Sequence, residues 1–123
     1  MFVLRGSPIH GVGVFTTERV PRGDVLRLWP DDDWREVSQA EADADPQILA
    51  LRDTYCVQIE GGYRCPKNFL RMSVGWFTNH SFEPNVKPDL AQDGDFVALR
   101  DIAPGEEIVC DYRDLSSVES APV

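Results

Sequence analysis

The segment Asn79–Asn85, which reads NHSFEPN, decides how the rest of the chain is interpreted. It follows the aromatic pair Trp76-Phe77 and places three turn-forming polar residues directly after that apolar run. The dipeptide Glu83-Pro84 favours an extended or turn conformation, because proline restricts the backbone of the residue before it. A polar corner set behind aromatic residues can present backbone N–H and C=O groups to a planar heterocycle. Taken by itself, a single histidine in such a corner is more often a structural residue than a ligand contact.

Two further segments, one near each end of the chain, have unusual patterns. Gly11-Val12-Gly13 places two glycines two residues apart, and the missing side chains let a backbone approach a ligand closely. A bend at a strand edge is the alternative interpretation, because no third glycine opens a helix as a dinucleotide-binding fingerprint requires. Glu107–Tyr112, which reads EIVCDY, ends an apolar strand with a tyrosine. Such a tyrosine is usually a half-buried packing residue whose hydroxyl finds a partner.

Short strands separated by turn signals account for most of the remaining chain. Alternating or continuous apolar residues predict strands over 12–15, 25–29, 55–59, 96–99 and 108–110. Asp45 before Pro46 predicts the start of a helix of about two turns, with an N-cap followed by proline. Ser38 and Glu41 match a capping box, although few apolar residues follow them. The pattern therefore predicts a mostly β protein with few short helices.

The length and the distribution of charge predict how the chain is organised. Its 123 residues are typical of one domain, and its formal net charge is −9. We expect a single domain over residues 1–115 and a flexible tail over 116–123, where no apolar pattern remains. Acidic residues are concentrated at 31–45, where Arg35 is the one basic residue. We interpret about 30–54 as a solvated acidic insert, with an acidic ligand-binding loop as the alternative.

The acidic balance and the apolar pattern argue against several classes of function. A net charge of −9 disfavours direct binding to nucleic acid or to an anionic membrane and favours a basic partner. No apolar run is long enough to span a membrane, and no signal peptide is recognisable, so we expect a cytoplasmic protein. The three cysteines lack a metal-binding spacing and there are two histidines, so no metal site is predicted. A Cys/His nucleophile pair stays open as an alternative.

The three unusual segments together resemble one family. Gly11-x-Gly13, the NHSxxPN pattern over 79–85 and the EIxxDY pattern over 107–112 come in the order and approximate spacing of a SET domain. The resemblance covers about residues 5–113 and is to S-adenosylmethionine-dependent protein lysine methyltransferases, of the minimal type found in bacteria and large viruses. It implies a SET-domain fold of the β-clip type, with small β-sheets around a knot-like crossing. There the last segment passes through a loop formed before it, next to the Asn-His segment.

The same resemblance implies roles for individual residues. It implies an S-adenosylmethionine site formed by Gly11, Val12, Gly13, Phe77, Asn79, His80 and Tyr112. The glycine segment would lie along the methyl donor, and the Asn-His pair would hold its amino group and adenine. Tyr112 and Tyr55 are implied as catalytic: Tyr112 beside the transferring methyl, and Tyr55, in the strand before the Asn-His segment, lining the lysine channel. The implied substrate is a lysine side chain of a basic protein or peptide.

The sequence departs from the family pattern at several positions. Trp76 stands where many members have arginine, and Phe82 where many have cysteine. No cysteine cluster or aromatic residue follows Tyr112, so we expect the zinc-binding module to be absent and the segment that usually closes the site to be missing in cis or much reduced. A partner subunit, the peptide or the acidic insert would have to supply that wall. The alternative function is therefore a catalytically weak or inactive module that binds basic peptides or acts in oligomerisation, for example as a homodimer.

Overall fold

In the computed structural model, which describes residues 1–29, 33–89 and 95–115, the described chain forms three small sheets and two short helices. The strands are β1 (Phe2–Gly6), β2 (Val12–Thr16), β3 (Val25–Leu26), β4 (Arg35–Ser38), β5 (Val57–Ile59), β6 (Gly62–Cys65), β7 (Asn79–His80), β8 (Val86–Pro88), β9 (Phe96–Ala98) and β10 (Glu107–Cys110). The helices are α1 (Gln39–Ala44) and α2 (Pro46–Tyr55), and 3₁₀ turns lie at Val74–Phe77 and Tyr112–Asp114. The predicted fold class, mostly β with few short helices, is confirmed.

The largest sheet brings the three unusual segments side by side. Its strand order is β1-β2-β10-β7. Strand β10 is antiparallel to β2, with Ile108 opposite Val14, and parallel to β7, with Val109 opposite Asn79. Parallel neighbours need a long connection, which the chain provides between β7 and β10. The glycine segment, the Asn-His pair and the C-terminal segment therefore lie on three adjacent strands.

The loop after β7 is tied along β10 by a buried asparagine. The Asn85 side chain donates to the backbone oxygen of Glu107 at 2.7 Å and accepts from the Val109 N–H at 2.9 Å. The Asn85 N–H donates to the Val109 oxygen at 3.1 Å, and the Ser81 N–H donates to the Cys110 oxygen at 2.9 Å. These bonds hold the last strand against the preceding loop, as in the crossing that the family resemblance implied.

The main core lies between the largest sheet and the sheet of order β3-β9-β8. Its largest fully buried side chains include Val14, Leu26, Leu28, Phe96, Ile102 and Ile108. The predicted strand over 25–29 ends at Leu26, because the chain then turns and the Leu28 oxygen accepts from the Gly75 N–H at 3.0 Å. A Cβ at Gly75 would overlap the Trp29 ring, so glycine permits this close approach. The 3₁₀ turn before β7 is thereby packed on the core.

A second, smaller core supports the sheet β4-β6-β5 and both helices. Ser38 caps the start of α1 with a complete capping box, and Asp45 caps the start of α2 with a carboxylate that accepts from two backbone N–H groups. Both helix signals are confirmed, although α2 is longer than two turns. Residues 33–54, within the segment interpreted as an acidic insert, are folded because Ala42 and Ile48 are buried against the sheet. Asp31, Asp32 and the predicted tail lie outside the described residues.

The prediction that Tyr55 lies in a strand is wrong. Tyr55 is the last residue of α2, and β5 begins only at Val57. Helix α2 extends into the first residue of the alternating apolar pattern at 55–59. A short alternating pattern does not distinguish a strand from the end of a helix. Among the described residues, no helix has both the length and the apolar character needed to cross a membrane.

Candidate active site

Glu107 is the centre of a polar cluster that joins three strands. Its carboxylate accepts from the Ser7 hydroxyl at 2.7 Å and from the Asn79 amide at 2.8 Å. The same Asn79 amide nitrogen lies 3.1 Å from the backbone oxygen of His10 and 3.2 Å from that of Val12. Asn79 is buried, so these bonds satisfy its donors and fix the carboxylate beside the glycine segment.

The glycine segment forms a ridge of bare backbone next to this cluster. Gly11 has a φ of 46°, in the left-handed region that favours glycine, and a Cβ there would meet nothing within 4 Å. Gly13 faces the other way: a Cβ at that position would overlap the Glu107 carboxylate and press on the Asn79 amide. Gly11 therefore leaves free space beside the backbone, whereas Gly13 lets the backbone lie close to the Glu107 carboxylate.

His80 presents an unused hydrogen-bonding nitrogen. Its Nδ1 accepts from the Tyr112 backbone N–H at 3.1 Å, so the ring hydrogen of the corresponding tautomer lies on Nε2. That Nε2 is buried and has no hydrogen-bond partner in the described part of the chain. The ring is packed edge-on against Phe82, with centroids 4.4 Å apart, and lies 5.2 Å from the Tyr112 ring. A buried donor without a partner is costly, which marks this position as one that a ligand can satisfy.

Tyr112 is held by its hydroxyl. The hydroxyl donates to the backbone oxygen of Thr78 at 2.7 Å, and the ring packs against the main core. Burial, as the largest cause, raises the pKa of Tyr112 to about 12. The hydroxyl therefore stays protonated near neutral pH, with its hydrogen directed at Thr78 and its oxygen lone pairs left as acceptors.

The structure brings most of the predicted site residues together. Gly11 precedes β2, while Val12 and Gly13 begin it; Asn79 and His80 form β7, and Tyr112 follows β10. Phe77 ends the 3₁₀ turn just before this group and packs against the main core. Tyr55 contacts Phe77, since its ring centroid lies 5.8 Å from that of Phe77 in an edge-to-face contact. Tyr55 thus borders the site from helix α2.

An open cavity of about 300 Å³ adjoins the same elements. Its described lining includes three tryptophans and three aspartates, namely Trp29, Trp34, Trp76, Asp89, Asp95 and Asp114. Arg64 also borders it, with the guanidinium over the Trp34 ring at 4.7 Å. Neither Tyr55 nor Tyr112 lines the cavity, but Val57 and Asp114, each two residues further along the chain, do. The cavity therefore has an acidic, aromatic wall.

Sequence reasoning missed Glu107 and Ser7 as site residues. Glu107 was visible as the first residue of the EIVCDY segment, but its partners depend on which strands are adjacent. Ser7 has no local signal, because its bond to Glu107 spans a hundred residues of sequence. The tryptophan wall of the cavity was not predicted either, since the sequence singles out Trp76 only as a departure from the family pattern.

The cluster suits a cofactor that carries an ammonium group and a heterocycle. The Glu107 carboxylate supplies the opposite charge, the ridge at Gly11 leaves room, and His80 Nε2 lacks a partner among the described residues. Within the same residues, no group of three histidine, cysteine or acidic side chains is placed to hold a metal ion. The class defined by this fold and site is a small β protein with a polar cluster beside a half-buried tyrosine.

Comparison with known proteins identifies the family. The SET domain model matches residues 11–113, so the chain belongs to the SET domain family. A Chaetomium globosum protein named histone-lysine N-methyltransferase, H3 lysine-4 specific, is 27% identical over 133 aligned positions. The match covers 94% of this chain but 11% of that relative, so the chain spans about a tenth of its length.

A solved structure has the same fold. It is a Plasmodium falciparum protein that carries the provisional name histone methyltransferase, with a TM-score of 0.55 and 20% identity. The alignment covers 91% of this chain and 96% of that one. At this identity the likeness establishes the fold, including the sheets that bring the three segments together.

Proposed function

We propose that this chain is a protein-lysine N-methyltransferase that uses S-adenosylmethionine. The observation that carries the proposal is the convergence of the glycine ridge, the Asn79–Glu107 pair and the Tyr112 hydroxyl on three adjacent strands. Membership of the SET domain family supports the same activity, because SET methyltransferases generally use this cofactor.

The proposed cofactor contacts follow from the chemistry of the cluster. S-adenosylmethionine supplies a methyl group on a sulfonium centre. Gly11, Val12 and Gly13 would hold it by their backbone, together with Phe77, Asn79, His80 and Tyr112. Glu107 would pair with the ammonium group, because a partly buried carboxylate favours an opposite charge nearby. The unpartnered His80 Nε2 would donate to an acceptor on the heterocycle.

The contribution of the chain to the reaction is orientation and exclusion of water. A target lysine has an ordinary pKa of about 10.4 and must lose a proton before its nitrogen can attack. Burial in an apolar channel and a neighbouring cation both lower that pKa. Tyr112 does not act as a base, because its pKa is raised to about 12. Its oxygen, held by the bond to Thr78, accepts weak C–H···O contacts from a polarised methyl. Alignment of this kind contributes up to about 7–11 kcal/mol.

The acidic cavity supports a basic protein as the substrate. Asp89, Asp95 and Asp114 give its wall more negative than positive charge, since Arg64 is the basic residue in its described lining. Tryptophan faces attract ammonium groups by cation–π interaction. The whole chain has a net charge of −9, which favours encounters with a basic partner. A lysine in a basic segment of a protein fits both features.

The alternative is a module that binds basic peptides without transferring a methyl group. The same acidic cavity would serve it. The homodimer, the cytoplasmic location and the minimal bacterial or viral type stay predictions.

The test begins with cofactor binding and uses a matched pair of variants. Calorimetry with S-adenosylmethionine should give saturable binding, and Glu107→Gln should weaken it about tenfold, a loss of about 1.4 kcal/mol. Glu106→Gln is the control, because Glu106 is the neighbouring carboxylate and is bonded to Arg100 and Ala103 instead. No binding at millimolar concentrations would reject the proposal.

Methyl transfer is then measured on a panel of basic proteins with labelled cofactor. Histone peptides belong in that panel, because the Chaetomium globosum relative is named for a histone lysine. Transfer to lysine supports the proposed enzyme. Salt-sensitive peptide binding that needs no cofactor, without transfer, would establish the non-catalytic alternative.

A further inference from the structure

Two of the three cysteines face each other in the second core. Strands β5 and β6 are antiparallel, with Val57 opposite Arg64, so the next pair along the ladder is Cys56 and Cys65. Cys56 follows the last residue of α2 and has an extended backbone, with φ −109° and ψ 154°, which continues the direction of β5. Both cysteines are free thiols, and their side chains are hydrogen-bonded to each other.

The geometry of this pair suits a disulfide bond. Opposite residues in an antiparallel ladder have Cα atoms about 4.5–5.5 Å apart. Disulfides require Cα separations of about 4.4–6.8 Å, so closing the bond needs little backbone movement. Cys65 is fully buried, but Cys56 is half-buried, which gives a small oxidant access to the pair from its side.

We propose that Cys56 and Cys65 form a redox-active dithiol that hydrogen peroxide closes into a disulfide. One sulfur, as a thiolate, attacks the peroxide: an S–O bond forms, the O–O bond breaks and hydroxide leaves as water after taking a proton. The second thiol attacks the resulting sulfenic acid: the S–S bond forms, the S–O bond breaks and a second water leaves. Two thiols are oxidised to one disulfide, and one peroxide is reduced to two waters.

The surroundings favour one thiolate within the pair. The hydrogen bond from Cys56, and secondarily the charge of Arg35, hold the pKa of Cys65 below its usual value, while the same hydrogen bond raises the pKa of Cys56. Arg35 lies opposite Cys65 on β4, so the cation belongs to the same sheet. Since Cys65 is fully buried, Cys56 is the sulfur that meets the peroxide, and the Cys65 thiolate accepts the Cys56 proton as Cys56 attacks.

Cys110 is a natural control within the same chain. It lies fully buried in β10 and in the main core, whereas the pair lies in the second core. Burial raises the pKa of the Cys110 thiol, so it disfavours the reactive form. The proposal therefore predicts selective oxidation of two cysteines and protection of the third.

The test uses the full chain at low micromolar concentration, treated with hydrogen peroxide under native conditions. Thiols counted after the treated chain is unfolded should fall from three to one per chain, and the intact mass should drop by the mass of two hydrogen atoms. Peptide mapping should find Cys56 joined to Cys65, with Cys110 alkylated only after unfolding. Dithiothreitol should restore all three thiols, and the oxidised form should melt at a higher Tm because the bond constrains the unfolded chain.

Two variants keep the proposal falsifiable. Cys56→Ser leaves the buried thiol in place and should abolish the disulfide, while Cys110→Ala should leave it unchanged. Should Cys110→Ala fold poorly, the mapping of the unmodified chain decides the question without it. A disulfide that includes Cys110, a bond between chains, or retention of three thiols after peroxide treatment would overturn the proposal.

Discussion

The four-stranded sheet β1-β2-β10-β7 and the unit formed by β4, β5, β6, α1 and α2 are stabilised in different ways. In the sheet, side chains bond to groups far away in sequence, as Asn85 does to β10 and Ser7 does to Glu107. In the helical unit the polar bonds at the helix ends are local, as at the capping box of α1 and the Asp45 cap of α2, while the exposed Arg64–Glu36 pair joins β6 to β4. Substitutions in the sheet should therefore change the shape of the site, whereas those in the helical unit should change local stability.

The largest effect is expected from Asn85→Ala. The change removes the side-chain partner of two backbone groups on β10, at a cost of about 1–3 kcal/mol each, so stability should fall by about 2–6 kcal/mol. Urea unfolding measures the loss. Asn68→Ala is the control, because the exposed Asn68 accepts only a local bond from Leu70. Equal losses in the two variants would contradict the contrast between long-range and local bonds.

Tyr112→Phe should affect turnover more than binding. It keeps the ring and removes the hydroxyl that bonds to Thr78, so turnover should fall about a hundredfold, as for loss of one oriented polar group. Labelled methyl transfer gives turnover, and calorimetry should show little change in cofactor affinity. Tyr63→Phe, in the second core, is the matched control and should retain activity. Unchanged turnover in Tyr112→Phe would remove the role assigned to that hydroxyl.

Asp45→Ala should have a smaller and local effect. It removes the carboxylate that accepts from the Gln47 and Ile48 N–H groups, which should cost about 1 kcal/mol. Hydrogen exchange should accelerate in α2 and leave the four-stranded sheet protected. Asp53→Ala removes a carboxylate from the same helix without removing the cap and should cost less. An equal increase of hydrogen exchange in α2 and in the four-stranded sheet would show that the helical unit is not locally stabilised.

The smallest expected effect is on the stability of the fold at acidic pH. A hydrogen bond from Arg113, as the largest cause, lowers the pKa of Asp111 to about 2. Since the unfolded value is about 3.9, the pair stabilises the fold above that pH and its contribution is lost as pH falls toward 2. Arg113→Gln should reduce the fall in Tm between about pH 3.9 and pH 2, as measured by scanning calorimetry at several pH values. An identical slope in the variant would assign the acid sensitivity to other carboxylates.

Sequence predicted the parts that chemistry restricts most tightly. The segments 11–13, 79–85 and 107–112 were recognisable because their residue types and order are unusual, and the structure places them on adjacent strands. The caps at Ser38 and Asp45 were also visible, since their signals are local. The fold class followed from these segments together.

The rest depended on contacts that sequence spacing does not contain. Tyr55 was assigned to a strand because a short alternating pattern cannot be distinguished from the end of a helix. The second core was overlooked because its few apolar residues are scattered among acidic ones. The partnership of Ser7, Asn79 and Glu107 requires knowing that β10 lies between β2 and β7.

The position of β10 also constrains how the molecule folds. The strand latest in sequence fills the middle of the largest sheet, so β2 and β7 have no common neighbour until residues 107–110 arrive. Such non-local pairing is slow, because the loop entropy is lost before the contacts form. A chain cut before Glu107 would expose an unpaired β2 edge, a template for aggregation. The polar cluster around Glu107 and a protected sheet therefore form in the same late event, and a nascent chain has neither.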